Sequence, residues 1–403
     1  MARRAIILVP GFGHKEHNQA RDRLVRALQN YTTGWRVEQT DDGVGPGNGA
    51  IGLHATCRCG GATQEIDVYE AYWGDLLPDW SNESPWARFK RGYMLIRYWL
   101  TGGVGGWISR REAPPNTAWA MLLAAVALVL WWIVVGIFVL QAIESGVIAI
   151  PESLASIAWV QTAWTTLTGW TGTVRGSVLV VLLLWVWSLG WLERFANISA
   201  YTKAYLRDEV FGDDDVGLRA KAKRRVLEVL DRAAGITGPD RYDEIYVVGH
   251  SLGGAIAADA LSESGDVLAH TVLFTWGSAL GLLVQQEPMV EVRIATFYTA
   301  APPVQGWIDV VLPWDMMGSQ VPVPRCFDDA SEPGRRHPPK FPDAVRPRLP
   351  RGTHPFEVVR VHEAYYRCEA ALLMLVAPEG TLPRRAEQAA VSAAPPAPTG
   401  RPA

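Results

Sequence analysis

Glu244-Ile245-Tyr246-Val247-Val248-Gly249-His250-Ser251-Leu252-Gly253-Gly254 decides how this chain is read. The opening residues of the stretch have the β-branched and aromatic content of a short buried strand, and Gly254-Ala255-Ile256-Ala257-Ala258-Asp259-Ala260-Leu261 reads as a helix. A serine wedged between glycines where a strand turns into a helix is a nucleophile elbow. The turn is too tight for side chains at the glycine positions. Its strain holds the hydroxyl of Ser251 above the sheet, where a base can reach it. An ordinary strand-turn-helix connection with an incidental serine is the bland alternative, which the pentapeptide alone does not exclude.

A serine hydroxyl is a poor nucleophile at neutral pH. It needs a base to take its proton, an acid to orient that base, and donors for a tetrahedral oxyanion. His362 is the candidate base: it follows the apolar run Phe356–Val361, read as a strand, and precedes Glu363-Ala364-Tyr365-Tyr366, read as the start of the last helix. His354 and His337 compete from a Pro/Arg-rich loop with no strand to fix them, and His250 points away in an elbow and shapes the pocket. Asp315 is the candidate acid, at the C-terminal edge of the strand Trp307–Pro313. Asp309, inside that strand, comes next, and Asp328 and Asp329 fall in loop. Val9-Pro10-Gly11-Phe12-Gly13 closes the first strand with a turn whose backbone N–H groups face the site. The backbone N–H groups of Phe12 and Leu252 are the candidate oxyanion hole.

These residues resemble the α/β-hydrolase superfamily, specifically its serine lipases and esterases. The chain order Ser251, Asp315, His362 is the order of that superfamily. Phe274-Thr275-Trp276-Gly277-Ser278-Ala279-Leu280 is similar to the strand and Gly-Ser-Pro-Leu turn of many lipases, with Ala279 at the proline position. Trp307 to Asp315 resembles the acid-bearing Trp-x-Asn…Asp segment, with Asp309 at the asparagine position. His362-Glu363-Ala364-Tyr365-Tyr366 resembles the His-x-x-Tyr-Trp box, and Pro10-Gly11 stands where His-Gly is usual. The resemblance covers residues 5–75 and 200–375. It implies an α/β-hydrolase fold with a doubly covered, mostly parallel sheet. It also implies cleavage of carboxylic esters through an acyl-enzyme, with Ser251 attacking, His362 acting as base and then acid, and Asp315 orienting it.

Composition narrows the remaining classes. A chain of 403 residues holds one large domain or two ordinary ones, and a net charge of -3 gives no reason to expect a nucleic-acid partner. Cys57, Cys59, Cys326 and Cys368 make no disulfide framework. Cys57-Arg58-Cys59 lacks a second pair at ligand spacing, so no metal is expected. Gly47-Asn48-Gly49-Ala50-Ile51-Gly52 matches the dinucleotide pattern literally, but no strand is read before it and no helix after it, so no cofactor is expected. Ala5–Val9 is far shorter than the core of a signal peptide and reads as a buried strand. Further expected elements are a helix over Asn18–Asn30, strands over Gln64–Trp73, His270–Trp276 and Glu291–Thr299, and two helices within 199–235, broken at Phe211–Asp215.

No charged residue occurs from Thr117 to Ile143. As a helix this run would be roughly 40 Å long, ample for a hydrocarbon core of about 30 Å. A second uncharged run, Gly176 to Leu192, is near the lower length limit for a span, and a buried soluble helix is the other reading of either run. Arg88, Lys90, Arg91, Arg97, Arg110 and Arg111 precede the first run and Arg194, Lys203 and Arg207 follow the second, whereas Glu144 to Val174 has no Lys or Arg. The positive-inside bias therefore puts both outer flanks in the cytoplasm and makes the two runs a transmembrane hairpin.

The expected organisation is a hydrolase domain in two parts, residues 1–112 and 194–378, interrupted by a hairpin at 113–193 and followed by a disordered tail at 379–403. That is a multi-pass membrane protein of two spans with its hydrolase domain on the cytoplasmic side. Its expected partners are the lipid bilayer and a lipid or fatty acyl ester. Asp328–Asp343, continuing through Arg346, Arg348 and Arg351, reads either as a mobile loop near the site mouth whose cations lie on anionic headgroups or as a solvated linker. The same triad serves amidases and acyltransferases, and a catalytically silent hydrolase fold acting as a membrane scaffold is the competing class.

Overall fold

The computed structural model describes residues 2–12, 16–40, 49–58, 60–80, 82–100, 115–144, 191–211, 215–264, 270–298, 302–325, 343–354 and 357–377, with isolated positions 162, 165, 166 and 169. They divide into two compact units, residues 1–76 with 219–403, and residues 77–218. The strands are β1 (Ala2–Val9), β2 (Trp35–Gln39), β3 (Ile51–Cys57), β4 (Thr63–Glu70), β5 (Glu244–His250), β6 (Thr271–Trp276), β7 (Gly306–Val310) and β8 (Asp343–Val345). The α-helices are α1 (Gln19–Tyr31), α2 (Pro85–Trp99), α3 (Pro115–Glu144), α4 (Trp191–Leu206), α5 (Leu218–Ala234), α6 (Leu252–Leu261), α7 (Leu280–Gln286), α8 (Pro288–Ala295), α9 (Val358–His362) and α10 (Glu369–Val376).

The first unit is an α/β fold. Its eight-stranded sheet runs in the order β2-β3-β4-β1-β5-β6-β7-β8. The β2–β3 and β3–β4 pairs are antiparallel, and every other neighbouring pair is parallel. Central parallel strands are covered on both faces, which is why β1 and β5 are apolar almost throughout rather than alternating. Ile6, Leu8, Tyr246, Val248 and Phe274 share one core with Leu24 and Leu28 of α1 and Leu372 and Leu375 of α10. Their strand neighbours Ile7, Val247 and Leu273 are equally buried. They face the other side, where α6 packs along β1, β5 and β6.

Several expectations about single elements are corrected. The described part of Phe356–Val361 is the helix α9, not a strand. The place beside β7 is taken by β8, so this segment has no ladder to join and bonds to itself, Val361 N–H to Glu357 O at 2.9 Å and Glu363 N–H to Val359 O at 3.0 Å. The described part of Glu291–Thr299, expected as a strand, belongs instead to α8 and to the 3-10 turn Thr296–Tyr298 that follows it. The apparent alternation there comes from Val290 and Ile294, buried one helical turn apart, with Val292 exposed between them. β2 and β3 were not anticipated, and β8 forms inside the stretch read as a mobile loop, of which residues 328–342 lie outside the described ones. Of the Gly47–Gly52 pattern, Ile51 and Gly52 already belong to β3, and β2 precedes it, so a strand comes before it and no helix after it.

The second unit is helical. Leu95 of α2, Ala127, Leu128, Trp131, Val135 and Val139 of α3, and Ala196 and Ala200 of α4 form its core. It begins at Leu77 and ends at Leu218, wider than the insertion expected at 113–193. Among the described residues no helix is long and apolar enough to cross a membrane. The backbone of α3 continues for 30 residues, but many of its side chains lie outside the described set. Most of the second run, Gly176 to Leu192, lies outside it too, so the two-span hairpin has no support from the structure.

Candidate active site

β1 and β5 are neighbours, yet the helices that follow them, α1 and α6, pack on opposite faces of the sheet. Such a switch point opens a crevice at the carboxyl ends of the two strands. Val9 pairs with Gly249, so the chain leaves both strands side by side at Pro10 and His250. Ser251 follows with φ 57° and ψ -127°, a conformation that a residue with a side chain holds only under strain. Its N–H donates to Trp276 O at 3.0 Å, which ties the elbow to the end of β6. A Cβ on Gly11 would stand 2.7 Å from the Cβ of Ser251, and one on Gly253 would strike the carbonyl oxygens of Val9 and Pro10. The turn after β1 and the elbow thus pack at a spacing that only glycine permits.

Both expected oxyanion donors lie in this crevice. Leu252 is the first residue of α6, where N–H groups have no intrahelical partner and the helix dipole is positive. Phe12 lies in the turn after β1, its ring edge-on to Trp73 with centroids 5.4 Å apart. The indole N–H of Trp73 donates to Pro10 O at 2.7 Å, so one buried side chain holds the turn at two points.

Asp315 and His362 are brought together. His362 Nδ1 lies 3.0 Å from each carboxylate oxygen of Asp315. The Tyr365 hydroxyl donates to Asp315 Oδ2 at 2.8 Å, and the N–H groups of Met317 and Gly318 donate to Oδ1 at 3.0 and 2.9 Å. Burial by itself would raise the pKa of Asp315, but the imidazole of His362 and these donors outweigh it and hold the carboxyl below its ordinary value. Burial works against a charged His362, and the Asp315 carboxylate overcomes that too, so His362 is raised above the ordinary 6.5. Its Nε2 is buried and has no hydrogen-bond partner among the described residues.

Ser251 and His362 make no hydrogen bond with each other in this structure, which joins Asp315 to His362 and leaves Ser251, the candidate nucleophile, apart from the pair. His250 lies against His362: its Nε2 is 2.9 Å from His362 O and the two rings are 4.9 Å apart. A carbonyl only accepts, so Nε2 carries the proton. Burial, with the neighbouring His362 charge, lowers His250 to about 4 and keeps it neutral. His354 is exposed, while His337, Asp328 and Asp329 lie outside the described residues. Asp309 is buried away from His362 and accepts from the Thr275 hydroxyl at 2.7 Å and from Val321 N–H at 2.9 Å.

Sequence reasoning named Tyr365 only within the resemblance to the His-x-x-Tyr-Trp box and gave it no role, and it did not find Trp73 or the His250–His362 contact. For Tyr365 a signal existed: it stands three positions after His362, one turn on, where a helical segment brings side chains to one face. For Trp73 there was none beyond its place at the end of a strand. Among the described residues no cluster of side chains fits a metal ion. No family model matches the chain, and no curated protein or solved structure matches it.

Proposed function

We propose that this protein is a membrane-anchored serine hydrolase of the α/β-hydrolase superfamily, cleaving carboxylic esters of lipids or fatty acids through an acyl-enzyme. The imidazole of His362 carries the reading. Its Nδ1 is fixed on a carboxylate, its Nε2 is buried without a partner, and the neighbour of Ser251 is bonded to its main chain. In the proposed cycle Nε2 takes the proton of the Ser251 hydroxyl as that oxygen attacks the ester carbonyl. Asp315 stabilises the resulting imidazolium, and the N–H groups of Phe12 and Leu252 receive the oxyanion. His362 then returns the proton to the leaving alcohol, and water releases the acid by the same steps.

An apolar substrate is favoured by two exposed side chains beside the pair: Trp314, 60% exposed and at φ 69° immediately before Asp315, and Val359, 66% exposed on the helix that ends at His362. Anchoring through residues 117–143, with the hydrolase unit on the cytoplasmic side, rests on the uncharged run and the Lys/Arg bias of its flanks, and Leu122, Val126 and Ile133 are exposed along one line of α3. A catalytically silent scaffold is the second reading, favoured by the missing bond between Ser251 and His362. Apo enzymes also hold such bonds loosely. Acyl transfer or amide cleavage would use the same groups.

A fluorophosphonate probe separates these readings. Labelling of the parent that vanishes in Ser251→Ala supports the proposal, labelling that persists removes Ser251 as nucleophile, and no labelling of the parent favours the scaffold. p-Nitrophenyl esters of increasing chain length, assayed in detergent, then test the substrate class. Preference for acetate would argue against a lipid pocket.

A further inference from the structure

Ser251 and the pair Asp315–His362 stand on separate segments, and the structure ties those segments together through the residue before the serine. His250 is the last residue of β5. Side chains alternate between the faces of a strand, so His250 points the same way as Tyr246 and Val248, toward the side covered by α1 and α10. The segment that leads into α10 is the one that carries His362. The buried ring of His250 packs against it, with centroids 4.9 Å from His362, 5.7 Å from Tyr365 and 5.4 Å from Tyr366.

A polar bond crosses this contact. His250 Nε2–H donates to His362 O at 2.9 Å. His362 is the last residue of α9, where a helix runs out of its own donors for the final carbonyls. Nε2 carries a proton in the neutral ring, as a carbonyl partner requires, and keeps it in the charged ring, so the bond is indifferent to the titration of His250. The donor is itself held by the sheet. His250 pairs with Trp276 in the β5–β6 ladder, and the next N–H, that of Ser251, donates to Trp276 O at 3.0 Å.

The base segment has two other ties, to elements that do not carry the nucleophile. Arg23 of α1 pairs with the Glu363 carboxylate, and its guanidinium lies 4.3 Å from the centroid of the Tyr366 ring. The Tyr365 hydroxyl donates to Asp315 in the acid loop. These ties fasten the segment to a helix and to a loop, whereas the bond from His250 fastens it to the elbow.

We propose that His250 is a positioning residue for the reaction of Ser251: its Nε2–H, bonded to the main chain of His362, sets the separation between the serine hydroxyl and the imidazole that takes its proton. His250 acts through His362 and not on the substrate. The inference rests on the serine-hydrolase reading above and adds what spaces the nucleophile from the base. Spacing is worth much here, because a misplacement of about 1 Å costs on the order of a hundredfold in rate.

The test follows the full chain in detergent through its reaction with a fluorophosphonate probe. The end-point amount of label counts folded sites, and the rate constant reads how well His362 is placed to take the proton of Ser251. Labelling of the parent that is lost in Ser251→Ala upholds the serine-hydrolase reading, and no labelling of the parent removes that reading and this inference with it. His250→Phe keeps an aromatic ring against Tyr366 and removes the N–H. It is expected to reach the parent's end point at a rate lower by about a hundredfold. His250→Gln, whose amide donates from close to the place of Nε2, is expected to come within about tenfold of the parent rate. For a p-nitrophenyl ester, kcat follows the same order with KM little changed. If His250→Phe does not fold, His250→Gln and His250→Asn decide, since only the longer amide reaches the carbonyl. A parent-like rate in His250→Phe, a loss confined to the end point, or equal rates in His250→Gln and His250→Asn each overturn the positioning role. In all three cases the labelled parent leaves the serine-hydrolase reading standing.

Discussion

Asp309 within β7 and Asp315 in the loop that follows are both buried, and their pKa values are shifted in opposite directions. Asp309 has a hydroxyl and one N–H for partners, and burial pushes it up to about 6. Asp315 has an imidazole, a phenol and two N–H groups, and these hold it below its ordinary value despite the same burial. Burial alone therefore does not fix the charge of a carboxylate; the partner set does. The two also divide the labour of one segment. Asp309 latches the far end of the loop to the strand through Val321 N–H, and Asp315, at its tip, faces His362.

Removing the charge at the tip is the strongest way to break this contrast. Asp315→Asn keeps the shape but takes away the anion that orients His362 and stabilises its protonated form. kcat for ester hydrolysis is expected to fall by about 10⁴-fold with little change in KM. The pH profile gives a second reading of the same variant. His362 must be neutral to act, so the parent rate rises with pH through an apparent pKa above 6.5, and in Asp315→Asn that limb moves to lower pH. A limb that stays in place would mean that another group controls the rate.

The latch is expected to show in stability rather than in rate. Asp309 binds its proton more tightly folded, at about 6, than at its ordinary 3.8. Below 3.8 both states are protonated and its contribution to stability is whole. As pH rises toward 6 the folded protein must ionise a carboxyl inside its core, and that contribution is lost. The unfolding free energy of the parent, from urea titrations, should fall across this window by up to about 3 kcal/mol from this group. Asp309→Asn should flatten that limb while leaving kcat within a few-fold, and an unchanged slope would assign it to another carboxyl.

How much of this was legible beforehand follows from distance along the chain. The elbow at Ser251 is local, with strand, turn and helix contiguous, and its reading needed no tertiary information. Asp315 was separable from Asp309 because one ends an apolar run and the other sits inside it. By contrast, the contact of His250 with His362 spans 112 positions, and no local pattern encodes it. α9 was misread because a Val-rich turn has strand propensity, and only the placement of β8 beside β7 denies it a ladder. The β2–β3 pair escaped although burial alternates along it, at Trp35 and Val37 and at Leu53 and Ala55, because each run holds only two such positions.

Tyr365 sharpens the contrast most finely, because its hydroxyl belongs to the Asp315 side alone. It donates to Asp315 Oδ2 and accepts from Leu312 N–H at 3.0 Å, so it spans the loop from its root to its tip. Tyr365→Phe preserves the ring that stacks on Trp276 and removes only that oxygen. Asp315 keeps the imidazole and both N–H donors, whereas Leu312 N–H is left buried without an acceptor. The expected cost is about 1–2 kcal/mol of stability, with kcat lowered by about tenfold or less. Denaturation and ester kinetics on the same preparation check the two together. A loss in kcat as large as that of Asp315→Asn would mean that the phenol, and not the imidazole, keeps this carboxylate charged.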